Sequence, residues 1–504
     1  MIPLFPSREE FVAGTDPAAN VIPVWTEIVA DGETPVSAFA KIGAEAPAFL
    51  LESAEQADQT GRFSFLGAGA KATILARGKD VEICEGGEVR RFVSATDPFR
   101  DLQDLMGRYR VARDRRLPAF SGGAVGYLAY DCVRWFEPSV PPPPPDELGV
   151  PDLFFLVAPS AVLFDHKRRR IQIVVNAFPD DFGGDRGAAY DAAAGEILAI
   201  LEKLGRPMAF PPIFTAGADH VPAHRSNTTR EEYHAMVERA QEYIRAGDIF
   251  QMVPAQRFET AFPGDALDLY RTLRFINPSP YMFCLRCPDG LALVGSSPEV
   301  HVRVTDGLVE IRPIAGTRRR GDTPAEDAAN AEDLLADPKE RAEHLMLVDL
   351  ARNDVGRIAE FGTVRVSDFM TVERYSHVMH IVSHVSGRLA GGRDAYDAMR
   401  ATFPAGTVSG SPKVRAMQII NELEKSKRCV YAGAVGYIGF DGNLDSCIAL
   451  RTVVLKDGTA YIQAGGGVVA DSTPEGEYME SVNKARAALR AVDHALRAAG
   501  LSPT

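Results

Sequence analysis

Gly433-Ala-Val-Gly-Tyr-Ile-Gly-Phe-Asp441 is the stretch that says most about the fold, because Gly123-Ala-Val-Gly-Tyr-Leu-Ala-Tyr-Asp131 echoes it 310 positions earlier. Both segments mix glycine with branched and aromatic residues and close on an aspartate, the pattern of a strand running into a turn. So long a spacing excludes a short solenoid repeat. It points to two related strands in equivalent sheets. Working outward, the apolar run 153–164 is broken at Pro159 and Ser160 and falls short of the ~20 residues of a membrane span. It reads as two strands. Ile171-Gln-Ile-Val-Val175, after the basic turn Lys167-Arg-Arg-Arg170, continues an antiparallel pattern. Helical patterns lie between the strands without strict alternation. One covers 188–204. Another opens with the capping box Thr229-Arg-Glu-Glu232, continues through Tyr233, Met236, Val237, Ala240 and Ile244, and stops at Gly247. A strand pattern then covers 248–258. The expected class is α+β, with large antiparallel or mixed β-sheets layered with helices in two interwoven subdomains. A Pro-, Gly- and Ala-rich stretch over 205–228 sets the expected boundary, 1–215 against 216–504. The five prolines at 141–145 favour an extended chain and read as a surface crossing within a domain.

The chain has 504 residues, with 55 Lys+Arg against 68 Asp+Glu and a net charge of −13. An apolar fraction of 46% and a charged fraction of 24% exclude a disordered chain, a collagen-like fibre and a small disulfide scaffold. The acid excess argues against a nucleic-acid partner. It does not argue against an anionic substrate, since a pocket can oppose the global sign. Six scattered cysteines suit a reducing compartment. Cys284 and Cys287 alternate like strand residues and have no second pair for zinc. The N-terminus lacks the basic, apolar and small-residue succession of a secretory signal. The expectation is a cytoplasmic protein without nucleic-acid or membrane partners.

Two helix starts carry paired acids. Asp337-Pro-Lys-Glu340-Arg-Ala-Glu343 and Ser472-Thr-Pro-Glu-Gly-Glu477-Tyr-Met-Glu480 each place two carboxylates three residues apart, on one helix face. Facing each other, such helices would suit a hard cation such as Mg²⁺. Acids in a first turn also favour the helix dipole, and spacing alone leaves both readings open. Two glycine-rich segments suit anions. Ala405-Gly-Thr-Val-Ser-Gly-Ser-Pro-Lys413 leads into a helix over 414–425, with Ser411 as cap and Pro412 first. Ala464-Gly-Gly-Gly467 follows a strand over 460–463 and offers successive amides. Either also fits an ordinary turn. Arg451 and Lys484 are candidate charge partners. Of His377, His380 and His384, the last two share a strand face and the first points away, which disfavours zinc and leaves one catalytic histidine. No P-loop and no nucleophile elbow is present. Composition and spacing thus reach an enzyme for a small polyanion and a divalent cation.

Ile311-Arg-Pro-Ile-Ala-Gly-Thr317, Lys339-Glu-Arg-Ala-Glu-His344, Asp349-Leu-Ala-Arg-Asn-Asp354, Gly406-Thr-Val-Ser-Gly-Ser-Pro-Lys413 and Gly465-Gly-Gly467 occur in this order. Together, over about 228–490, they resemble the chorismate-utilising enzymes. The N-terminal half resembles that of anthranilate synthase large subunits. The resemblance implies Mg²⁺-dependent chemistry on chorismate. Glu343 and Glu480 would hold the metal, with Glu477 beside them. Tyr431, Arg451, Thr407 and the amides of Gly465, Gly466 and Gly467 would hold the carboxylates, with Gly316 and Thr317 nearby and Lys484 as a further charge. Glu340 is the candidate acid, raised by neighbouring carboxylates, and His380 would act near the leaving group. Water-adding members use a Lys base where this chain has Gln251. Aminodeoxychorismate-forming members use a Lys nucleophile where it has Ala315. Both departures imply attack by ammonia and loss of pyruvate to give anthranilate, the first step of tryptophan biosynthesis. An aminodeoxychorismate or isochorismate/salicylate synthase is the alternative.

Leu50-Leu-Glu-Ser53 and Asn277-Pro-Ser-Pro-Tyr-Met282 resemble a tryptophan feedback site. Glu52 would take the ligand's ammonium and Ser53 a hydrogen bond, with Pro280, Tyr281, Met282, Val435 and Tyr437 around them. That makes 1–215 the regulatory region and 216–504 the catalytic one. No cysteine sits in a glutaminase setting. A separate glutamine amidotransferase subunit is therefore expected to supply ammonia, in a heterotetramer of two synthase and two glutaminase subunits.

Overall fold

The two echoed segments are strands, Gly123–Leu128 and Ala434–Gly439, and they lie side by side. They pair antiparallel, with Gly126 opposite Gly436 and Gly123 opposite Gly439. The expectation of equivalent strands in separate sheets is thereby corrected: they are neighbours in one sheet. The computed structural model describes all residues except 1, 15, 30, 54–60, 215–219, 376–377 and 502–504. The boundary expected at 215/216 and the side chain of His377 fall outside the described residues.

Among the described residues, two large antiparallel sheets, of eleven and twelve strands, face each other. Each draws strands from both halves of the chain and joins them once. In the twelve-stranded sheet the echoed pair makes the join. In the eleven-stranded sheet it is Ala48–Glu52 against Tyr281–Arg286, with Glu52 opposite Met282. The apolar run 153–164 does form two strands, but in different sheets. Leu153–Ala158 pairs within the twelve-stranded sheet and Ser160–Asp165 within the other, so Pro159 marks the crossing. Proline cannot donate to a ladder, which suits a point where pairing changes hands.

Phe49, Phe120, Tyr127, Phe154 and Phe283 are fully buried between the sheets. Each such side chain contributes roughly 1.5–3 kcal/mol of transfer free energy. Helices cover the outer faces. Arg186–Leu204, Ala266–Ile276 and Pro474–Ala498 pack on the eleven-stranded sheet, and Pro98–Met106, Pro338–Gly356 and Ala395–Thr402 on the other. The helix from Arg230 to Ala246 has the expected capping box at Thr229 and Glu232 and a left-handed stop at Gly247. The prolines of 141–145 cross the surface as coil. Their carbonyls accept from Arg134, Asn421 and the Lys427 amide, which ties the run to the C-terminal half. No described helix is long and apolar enough to cross a membrane.

Candidate active site and effector cavity

The two acid-bearing helices begin as their sequences require. Asp337 caps Pro338–Gly356 by accepting from the Lys339 and Glu340 amides, and Thr473 caps Pro474–Ala498. Both N-termini open on one cavity of about 770 Å³. Gly316, Thr317, Glu340, Glu343, His380, Thr407, Tyr431, Arg451, Gly465, Gly467, Glu477, Glu480 and Lys484 all line it. Gly466 does not. Its amide faces the Tyr233 hydroxyl at 3.4 Å, and a Cβ there would stand 2.4 Å from Glu477 Oε2. It therefore supports a carboxylate from behind and leaves the expected nest of three free amides incomplete. Ser411 is not a helix cap either. It pairs with Gln251 in a two-strand ladder, and the following helix, Lys413–Leu423, has no side-chain cap.

Charge in the cavity is unevenly compensated. Burial and then the neighbouring Glu340 and Glu480 push the Glu343 carboxyl up, while Gln251 Nε2, 3.4 Å away, pulls it back. Burial likewise pushes Glu477 up, against its hydrogen bond from Ser472 at 2.6 Å. Glu477 Oε2 is buried with no hydrogen-bond partner among the described residues. Buried carboxyls that repel one another and an orphaned oxygen fit a hard cation. As the side chains stand, Glu480 is drawn to Lys484 at 2.7 Å, and among the described residues no three acidic, cysteine or histidine groups converge on a metal-binding point. Arg451 has the opposite imbalance. Burial lowers its pKa, and its guanidinium has no ion-pair partner among the described residues.

Glu340 accepts from Arg318 at 3.0 Å, and Arg318 also reaches Asp333 and Asp337. Glu299, at the end of Ser296-Ser-Pro-Glu299, lines the same cavity. Burial raises its carboxyl to about 8, with the Thr407 hydroxyl and Lys484 pulling the other way. The Thr407 hydroxyl is close enough to act on Glu299 yet makes no hydrogen bond of full geometry. Sequence reasoning passed Glu299 over. The only signal was an acid two residues past a buried strand, Ala292–Ser297, beyond Pro298. His380 sits on the strand Val378–Arg388, with Nδ1 2.9 Å from the Gly316 carbonyl and 3.1 Å from Thr317 Oγ1. The carbonyl can only accept, which assigns the proton to Nδ1 and leaves Nε2 unprotonated. Burial lowers the imidazole pKa and favours that neutral form. Gly316 has φ +67°, and a Cβ there would stand 3.0 Å from Glu340 Oε2, so this turn requires glycine. His384 faces Glu310 at 2.9 Å instead, away from the cavity.

A second cavity, of about 820 Å³, opens at the other join of the two halves. Glu52, Ser53, Pro280, Tyr281, Met282, Val435 and Tyr437 all line it, beside Trp25, Phe65 and Phe283. The Glu52 carboxylate accepts from Arg274, at 2.6 Å, and from the Tyr270 hydroxyl, at 2.8 Å, which ties its strand to the helix Ala266–Ile276.

A cavity with a guanidinium unpaired among the described residues, crowded carboxyls and a further carboxyl raised by burial defines an enzyme for a compact polyanion. The chain belongs to the family of chorismate binding enzymes, whose model matches residues 46–490. It is similar to anthranilate synthase component 1 of Aquifex aeolicus, at 48% identity over 94% of this chain and 95% of that one. The Pseudomonas aeruginosa component 1 is 46% identical over 96% of this chain and 98% of its own length. The crystal structure of anthranilate synthase component I from Streptococcus pneumoniae superposes with a TM-score of 0.74 at 37% identity, covering 92% of this chain and 99% of that one. The menaquinone-specific isochorismate synthase of Escherichia coli shares the fold, with a TM-score of 0.67 at 20% identity over 94% and 95% of the two chains.

Proposed function

We propose that this protein is the large subunit of an anthranilate synthase. It adds ammonia to chorismate and eliminates pyruvate and water to leave anthranilate. The observation that carries the reading is Arg451, a buried guanidinium without an ion-pair partner among the described residues, facing the acid-lined cavity. An isolated buried charge is costly and a substrate carboxylate would offset it. Tyr431 and the Gly465 and Gly467 backbone stand beside it. Glu343, Glu477 and Glu480 would hold Mg²⁺, which when bound would neutralise the second carboxylate and polarise the ring.

Glu299, protonated at neutral pH, donates to the departing ring hydroxyl, which leaves as water as ammonia bonds to the ring. His380 Nε2, unprotonated, accepts the ring proton as the C–O bond to the enolpyruvyl group breaks and the ring becomes aromatic, and that proton passes to the departing enolate's methylene carbon, which leaves as pyruvate. Glu340, held by Arg318, positions the helix start. Gln251 and Ala315 both line the cavity, and neither position offers an amine for activating water or for a covalent adduct. The relatives' designation as a first component supports a separate second component; we assign to it ammonia supply as a glutamine amidotransferase, two copies of each subunit forming the assembly.

The aromatic lining of the second cavity supports tryptophan as its ligand and as feedback inhibitor. The test is a product assay with purified protein, chorismate, Mg²⁺ and ammonium, run with and without tryptophan. Fluorescent anthranilate, suppressed by tryptophan, is expected. A product retaining the enolpyruvyl group would replace this reading with an aminodeoxychorismate or isochorismate synthase.

A further inference from the structure

Between the two large cavities lies a small one of about 50 Å³, and its walls are charged. The charges come from register. Across three adjacent strands of the twelve-stranded sheet, Asp445, Arg303 and Glu310 are direct cross-strand partners, so they share a face and alternate in sign. Arg312 follows on that face two residues beyond Glu310. It pairs with Glu373, which lies directly opposite His380 in the next pair of strands.

Both ends of this row reach a cavity. At the effector end, Arg303 donates to Asp445 at 3.0 Å and to the Tyr281 hydroxyl at 3.0 Å, and that hydroxyl is 3.1 Å from Asp445. All three line the second cavity. At the catalytic end, the Tyr375 hydroxyl donates to Glu373 at 2.9 Å, and its ring centre is 5.5 Å from that of His380. Both rings line the active-site cavity. In the middle, Glu310 is lowered first by His384 and then by Arg303 and Arg312, so it feels both halves of the row.

We propose that Tyr375 is a positioning residue for His380, and that the row Arg303, Glu310, Arg312 and Glu373 sets its position according to the occupancy of the effector cavity. This rests on reading that cavity as the tryptophan site. A ligand packed on Tyr281 disturbs the phenol shared by Arg303 and Asp445. Arg303 then redistributes between Asp445 and Glu310, Arg312 follows between Glu310 and Glu373, and the Tyr375 hydroxyl moves with Glu373. Three carboxylates share two guanidiniums, so one carboxylate in each arrangement relies on another partner, as Glu310 does here on His384 at 2.9 Å, and which carboxylate that is distinguishes the two arrangements of the row.

The test measures tryptophan Kd by calorimetry with and without saturating chorismate and Mg²⁺, with ammonium and glutamine withheld so that the substrate persists. Linkage requires the two ligands to change each other's affinity by one factor, expected in the unaltered protein at about 5–150-fold. In Glu373→Gln and in Arg312→Met that factor should fall towards one, with tryptophan Kd in the absence of chorismate unchanged. Glu373→Gln keeps the side-chain shape, so it decides the matter if Arg312→Met fails to fold. An unchanged factor in Glu373→Gln would overturn the row while leaving the effector cavity assigned. Absence of tryptophan binding to the unaltered protein would overturn the cavity's assignment and the row with it.

Discussion

Glu299→Gln should stabilise the protein while removing its activity. The carboxyl has its pKa at about 8 against a usual 4.5, with burial as the leading cause. At pH 7 the folded protein therefore keeps a proton that the unfolded chain releases. Each pKa unit corresponds to about 1.4 kcal/mol, so holding the acid neutral at pH 7 costs about 3 kcal/mol of stability. The sign follows from proton uptake on folding: the contribution is fully present below pH 4.5 and is lost as pH rises towards 8. Glutamine does not titrate and escapes that loss. Denaturant unfolding of the two proteins at pH 4.5, 7 and 8.5 should show curves that converge at the lowest pH and separate at the others, with the variant more stable. Turnover should fall by about 10²–10⁴-fold, the range for losing a general acid. In the unaltered protein kcat/KM should decline above about pH 8 as Glu299 ionises. Parallel stability curves, or a variant within tenfold of normal turnover, would refute the assignment.

Arg451→Gln should raise the chorismate KM by at least about 30-fold, as expected for losing a buried charge partner, and should leave the substrate-free fold as stable or more so; steady-state kinetics with a melting curve checks both. Gly466→Ala drives a methyl into Glu477 and should raise the Mg²⁺ concentration for half-activation by about 10–100-fold, read by metal titration of turnover. Glu480→Gln should abolish Mg²⁺-dependent turnover yet leave tryptophan binding by calorimetry intact. Met282→Thr should relieve tryptophan inhibition with little change in the uninhibited rate, visible in a dose–response curve.

Local features were the most legible in the sequence. The caps at Thr229 and Asp337 depend on residues two or three positions apart, and both form as read. The stretch holding Gly123 and the one holding Gly433 announce two strands, but their pairing depends on a contact across most of the chain, which no local pattern encodes. Ser411 carries the right chemistry for a cap and loses to the ladder with Gln251. Glu52 stands in a local motif, but its partners Tyr270 and Arg274 come from a helix more than 200 residues on, which that motif does not announce. Glu299 is the converse case. Nothing near it in sequence makes it an acid, because its raised pKa comes from burial supplied by distant elements. The site residues found from motifs gather in one cavity because the motifs mark strand ends and helix starts, the places where a layered fold exposes side chains to a shared space.

The join between Gly123–Leu128 and Ala434–Gly439 has a consequence for synthesis of the chain. The first of these strands finds one neighbour quickly, in Leu153–Ala158. Its other edge must wait for a strand made 310 residues later. At about 5–20 residues per second, that edge stays open for roughly 15 s to a minute on the ribosome. Ala48–Glu52 waits in the same way for Tyr281–Arg286. Unpaired apolar edges recruit other strands, so the nascent chain passes through an interval in which neighbouring copies on one message can pair with it. Slower elongation should lengthen that interval and lower the yield of folded enzyme without altering a single residue.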